Sequence, residues 1–173
     1  MEQKVVQEKK PITSEWIVVR DSKIHRMGVY AAKDIPKGTQ IIEYVGKLIT
    51  KKEADVIADE QYEKGESGKE GHVYIFELND KFDIDGNVPW NTARLINHSC
   101  EPNCETEGDD EHIWIGAMRD IKEGEELSYD YCYDIEDYED HPCKCGGKSC
   151  VGYIVGEKYR RKLGILRKRG RKL

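Results

Sequence analysis

Cys143, Cys145 and Cys150 gather three thiols into a short stretch, with Gly146 and Gly147 between the second and the third. Thiolates at this spacing, on a backbone that glycine lets fold tightly, suit a tetrahedral zinc ion, which then needs a fourth ligand from elsewhere. Cys100, Cys104, Cys132 and the nearby His141 are the candidates. A site closed in this way leaves no position for water, so its part is structural: it pins the C-terminal segment to the middle of the chain. A second group is polar where packing alone would choose apolar residues. Asn97 and His98 follow Leu95-Ile96, Tyr129 and Tyr131 flank Asp130, and Tyr44 and Tyr74 lie in apolar runs. Singly, each tyrosine reads as a core residue with a satisfied hydroxyl. A lone His98 beside Asn97 likewise reads first as structural.

The elements that must position these residues are mostly short strands. Trp16–Val19, Val29–Ala32, Gln40–Val45, Val73–Leu78, Phe82–Asp85, Ile113–Ala117 and Leu127–Tyr131 are rich in β-branched and aromatic residues and bounded by turn residues. Thr50 followed by Glu53 is a capping box, and helix is expected from about Lys51 to about Tyr62. Glu63 to Gly71 reads as a loop, Asn91–Ile96 as a short helix and Ile154–Leu163 as a terminal one. No βαβ alternation is present, so an α+β fold dominated by β-structure is expected.

Five segments then resemble, in order, the motifs of SET-domain lysine methyltransferases. These are His25-Arg26-Met27-Gly28-Val29-Tyr30, Glu43-Tyr44-Val45-Gly46, Arg94 to Cys104, Gly124 to Tyr131, and Cys143 to Gly152. The last is similar to the post-SET zinc motif. The resemblance implies a β-clip fold with a pseudoknot, one inserted helix and a zinc-bound post-SET segment. It implies S-adenosylmethionine as co-substrate, held near His25, Met27, Gly28, Val29, Tyr74, Asn97 and His98. Tyr131 matches the catalytic tyrosine, Tyr129 the position that tunes how many methyl groups are added, and Tyr44 a wall of the lysine channel. Cys100, Cys143, Cys145 and Cys150 would bind structural zinc. The implied layout is a flexible leader at 1–13, a SET domain at 14–134 with an insert at about 51–72, a post-SET segment at 135–156 and a basic tail at 157–173. The chain resembles a minimal stand-alone member of the family. Lys47 and Leu95 depart from the family's commoner Glu and Phe, changes of small expected consequence.

Charge bears on the partner. The net charge is −6, yet nine of the 28 Lys and Arg lie in residues 158–173, where there is no acid. The acidic remainder, with the run Asp134-Ile135-Glu136-Asp137-Tyr138-Glu139-Asp140, suits a cationic substrate: a histone-like tail, a basic ribosomal protein, or the chain's own C-terminal tail at Lys162, Lys168 or Lys172. The basic tail also suits weak, salt-sensitive contact with nucleic acid. No apolar run approaches a membrane span, and the N-terminus lacks the apolar core of a secretory signal, so an intracellular soluble protein is expected. With Tyr at position 129, mono-methylation is the expected product.

Overall fold

The computed structural model describes residues 9–66, 73–136 and 138–168. Among the described residues the strands are β1 (Ile17–Asp21), β2 (Met27–Ala31), β3 (Gln40–Glu43), β4 (Lys47–Thr50), β5 (Ile75–Glu77), β6 (Phe82–Asp85), β7 (Asn97–His98), β8 (Cys104–Gly108), β9 (Ile113–Ala117) and β10 (Ser128–Tyr129). The helices are α1 (Lys51–Glu66) and α2 (Glu157–Lys168), with single 3-10 turns at Thr92–Leu95 and Tyr138–Asp140. The expected β-dominated α+β class is what the chain forms. The chain divides into two compact units.

The first unit draws its described residues from Met1–Thr13, Ile42–Arg94 and Gly108–Ile113. Its sheet has the order β4-β6-β5, antiparallel throughout, with Leu48 opposite Ile84 and Phe76 opposite the same residue. α1 starts where the sequence says it should. The Thr50 backbone N–H donates to Glu53 Oε2 at 2.8 Å, and the Glu53 N–H donates to Thr50 Oγ1 at 3.3 Å, a reciprocal capping box. Lys51 then bridges to the buried Asp83 of β6 at 2.7 Å, which seats the helix on the sheet. α1 runs to Glu66, past the expected end near Tyr62 and into the expected loop, and residues 67–71 of that loop lie outside the described residues. β4 was not anticipated. Leu48 is 59% exposed, so this strand lacks the buried apolar face that a pattern reading needs.

The second unit comprises Ser14–Ile41, Leu95–Glu107 and Trp114–Leu173. β1 and β2 form an antiparallel pair with Val19 opposite Val29. β7 and β10 pair in parallel, Ser128 with Asn97 and Tyr129 with His98. A further sheet has the order β3-β9-β8. β8 too lacks a readable strand pattern, because four of its five residues are exposed, three of them polar and the fourth a glycine. α2 packs Leu163, 1% exposed, into a cluster with Tyr138, Val151 and Val155. The acidic run at 134–140 is therefore not simply a solvated loop: Tyr138 anchors it, edge-on to Tyr153 at 4.9 Å. Residues 157–168, read from charge as the start of a tail, are a helix with one face in the core. Asp137 and residues 169–173, Lys172 among them, lie outside the described residues.

Candidate functional site

In the second unit the structure brings together most of the residues singled out from sequence. The parallel β7–β10 pair sets Asn97 and His98 beside Ser128 and Tyr129, all four buried. The Asn97 side-chain amide donates to the Met27 carbonyl at 3.1 Å, to Ser22 Oγ at 3.2 Å and to Glu126 Oε1 at 2.9 Å. Glu126 also accepts from the Ser22 hydroxyl at 2.6 Å and the Tyr30 hydroxyl at 3.0 Å. It ties the turn before β2 to β7. Gly28 is needed here, since a Cβ would run into the Glu126 carboxylate and Ser22. Val29 is fully buried, and its carbonyl accepts from the Leu127 N–H at 2.8 Å. His25 and Met27 sit at the exposed end of this turn, where Arg26 takes a left-handed φ of 41°.

The His98 ring lies between the catalytic candidate and the thiols. Its Nδ1 accepts from the Tyr131 N–H at 3.2 Å, so a neutral ring carries its proton on Nε2, 3.6 Å from Cys100 Sγ. Asp130 Oδ1 is 3.7 Å from the same Nδ1, too far for a hydrogen bond. Tyr131 is half-buried and donates its hydroxyl to the Ile96 carbonyl at 2.9 Å, while its ring tilts against Tyr129 at 4.9 Å. Cys132 follows with a left-handed φ of 57°, its N–H on Asp130 Oδ1 at 3.0 Å.

Cys100, Cys143, Cys145 and Cys150 bring their sulfurs within 4.8 Å of one another. Four thiolates about 2.3 Å from a tetrahedral zinc ion stand about 3.8 Å apart. The Cys100 to Cys143 separation is 3.9 Å, so the donor set fits zinc in both chemistry and size. The other candidates for the fourth ligand lie elsewhere. Cys104 is buried against Asn103, and burial pushes its thiol up to about 12. His141 stands edge-on to Tyr133 at 4.9 Å, and Cys132 is exposed. A hydrogen bond from Cys143, then His98, holds Cys100 below the usual thiol range, and the same bond raises Cys143.

The first unit holds the other two tyrosines. Tyr44 is 2% exposed, donates its hydroxyl to the Tyr74 carbonyl at 2.9 Å and packs on Phe76 with ring centroids 4.4 Å apart. Gly86 lies so close that a Cβ there would clash with the Tyr44 ring and hydroxyl. The structure thus gives Tyr44 a packed position in the core of its unit. Arg94 stacks over the Tyr74 ring at 5.8 Å, and its Nε is buried without a partner. A donor left unsatisfied on an aromatic face suits an acceptor group of a polar cofactor. A zwitterionic cofactor with an aromatic base needs donors, acceptors and ring surfaces of this kind, and S-adenosylmethionine fits that requirement.

The family model for the SET domain matches residues 26–132. The chain belongs to the SET-domain family. The SET chain is 45% identical over 150 residues to the histone-lysine N-methyltransferase trr of Drosophila melanogaster, a match covering 82% of the chain and 6% of that protein. It is 41% identical to histone-lysine N-methyltransferase 2B of Homo sapiens, over 84% of the chain and 5% of that protein. It is 38% identical to the histone-lysine N-methyltransferase, H3 lysine-4 specific, of Schizosaccharomyces pombe, over 77% of the chain and 14% of that protein. The chain therefore spans only a small part of each of these relatives.

Reading residues alone missed Ser22, Glu126, Asp130 and Arg160. Glu126 and Asp130 stand inside a signature segment and could have been questioned there. Arg160 is 9% exposed within a run whose charge reads as solvated surface.

Proposed function

We propose that this chain transfers a methyl group from S-adenosylmethionine to the side-chain amine of lysine in a basic, histone-like protein tail, and that it adds one methyl group. The observation that carries the reading is the β7–β10 pair, which sets Asn97 and His98 beside Tyr129 and just before Tyr131, in a chain of the SET family. The names of the relatives support the reaction type, and the fission-yeast relative's name supports a histone tail as the substrate class. We assign cofactor binding to His25, Met27, Gly28, Val29, Tyr74, Asn97 and His98, and structural zinc to Cys100, Cys143, Cys145 and Cys150. We place the protein inside the cell, at chromatin. The domain limits 14–134, 135–156 and 157–173 belong to the same proposal.

When bound, the cofactor would supply an electrophilic methyl group on a sulfonium, and the lysine's neutral amine would take that methyl in line as the carbon–sulfur bond breaks and the neutral thioether leaves. A lysine amine titrates near pKa 10.4 in water, so the protein must favour its neutral form. Tyr129 and Tyr131, their rings 4.9 Å apart, serve this by forming an aromatic wall that first attracts the ammonium and then, by excluding water, disfavours its charge. The Tyr131 hydroxyl, its proton engaged by the Ile96 carbonyl, orients groups around the transferring methyl through its remaining lone pairs. Holding the two reacting atoms in line is the larger gain. The Tyr129 hydroxyl hydrogen-bonds the amine and leaves little room for a second methyl group. The exposed acids Asp134, Glu136, Glu139 and Asp140 draw the basic peptide in.

Labelled S-adenosylmethionine and a panel of basic peptides, read by mass spectrometry, test this. Mono-methyl lysine is expected, Tyr131→Phe abolishes transfer with the fold intact, and Tyr129→Phe adds di-methyl product. Tri-methyl product from the unmutated protein would refute the product assignment. A protein that neither binds the cofactor nor labels any peptide would be a silent SET module instead.

A further inference from the structure

Asp130, inside the Gly124–Tyr131 segment, joins Arg160 and the start of α2 in a device that extends beyond the signature motifs. Arg160 projects from α2 into the interior of the second unit and is 9% exposed. Its Nη1 donates to the Cys100 carbonyl at 2.6 Å, and its Nη2 to the Asp130 Oδ2 carboxylate oxygen in a short ion pair. The Glu157 backbone N–H, in the first turn of α2, donates to that same Oδ2 at 2.9 Å. The helix thus holds one carboxylate from two directions. The other oxygen of Asp130 receives the Cys132 N–H, and the Tyr131 N–H is on His98 Nδ1. The main chain on both sides of the Tyr131 side chain is thereby suspended from Asp130 and His98. The guanidinium also grips the carbonyl of Cys100, two residues after His98. The Arg160 Nε is buried with no partner, a cost that the two good bonds must offset.

We propose that Arg160 is a positioning residue for methyl transfer, and that α2 is a clamp that fixes Tyr131 through Asp130. Resting on the methyltransferase reading for its catalytic half, the inference adds a residue from the stretch that charge alone presents as a tail. The physical argument is the geometry of the fork. A guanidinium can bond a carbonyl and a carboxylate at once in one plane, and an ammonium cannot hold both in that geometry. Removing the fork leaves a partly buried carboxylate paired only with main-chain N–H groups. Asp130 then shifts, and the Tyr131 hydroxyl with it. A displacement of about 1 Å at such a group lowers a rate by roughly 100-fold.

The test uses the full chain with Arg160→Met and, because the first variant can fail to fold, Arg160→Lys. Amide hydrogen exchange is read residue by residue, and kcat and KM are measured with a basic peptide. The expected result is exchange at Tyr131 and Cys132 faster by about tenfold or more in both variants. It is joined by a kcat lowered roughly 10- to 100-fold with KM for the peptide changed little. A double substitution with Asp130→Asn should cost no more in kcat than the worse single one. Unchanged exchange at Tyr131 and Cys132 in Arg160→Lys would overturn the clamp, whatever the activity. Faster exchange with unchanged kcat would overturn the positioning role. Faster exchange in a chain whose unmutated form transfers no methyl would leave the clamp standing and remove the methyltransferase reading instead.

Discussion

Glu126 shows how one side chain can carry a site without touching its chemistry. It accepts from Ser22, Tyr30 and Asn97, so three donors of the second unit depend on one carboxylate. Burying a donor without its partner costs about 1–3 kcal/mol. Glu126→Ala should therefore lower stability by about 2 kcal/mol or more in urea unfolding, and weaken cofactor binding in calorimetry because Asn97 loses an anchor. Glu126→Gln should recover part of both, since its carbonyl oxygen still accepts while its amide faces other donors. Of the residues named from sequence, the four clustered cysteines, Asn97, His98, Tyr129 and Tyr131 do converge within the second unit. Their types are unusual for their apolar neighbours, and that contrast is visible in one dimension. Glu126 and Arg160 are charged residues in charged stretches. Only their partners reveal them.

The elements divide by how local their causes are. The capping box of α1 lies within four consecutive residues, so the sequence displays it in full. The Thr50 N–H, then its hydroxyl, holds the exposed Glu53 carboxyl below the usual carboxylate range. A depressed folded pKa means that the cap's contribution is fully present above the unfolded value of about 4.3 and is lost as pH falls through the lower folded value. Amide exchange at Thr50 should thus rise relative to mid-helix positions on acidification through that window. Neutralising Glu53 as Gln should flatten the response. β4 and β8 lack this legibility because their pairing partners are distant and their faces exposed. α2 lies between the two cases. Its helical propensity is plain, yet its role depends on Leu163 meeting Tyr138, Val151 and Val155. Leu163→Ala should cost about 2–5 kcal/mol, read from the denaturation midpoint. It should also loosen the Arg160 contacts, since the same helix carries both.

At the scale of the molecule, the four-thiol cluster joins Cys100 to a segment more than forty residues further along. Small structural zinc sites contribute on the order of 10 kcal/mol of binding free energy, as much as the whole net stability of a typical domain. Chelation of the metal-loaded protein should therefore lower both activity and melting temperature. Full activity and unchanged cofactor affinity after chelation would contradict the link between the cluster and the site. Each thiol must lose its proton to bind the metal. Zinc-dependent stability is thus present at neutral and higher pH and is lost as pH falls, which a melting series with and without chelator would show.

The sequence by itself determined the chemistry on offer: three clustered thiols, an asparagine and a histidine among apolar residues, and a set of tyrosines in the order of the SET motifs. It also determined the β-dominated class, because strand patterns and turn residues are local. The resemblance already named Cys100 as the fourth thiol, and tertiary structure carried it, rather than Cys104 or Cys132, to the other three. Tertiary structure decided that Tyr44 packs with its hydroxyl on a carbonyl. It also decided that the terminal helix expected over Ile154–Leu163 runs from Glu157 to Lys168 and buries Arg160. The physical reason is the same each time. Residue type states what a group can bind, but burial and partners arise from segments far apart in sequence, and only folding brings those together.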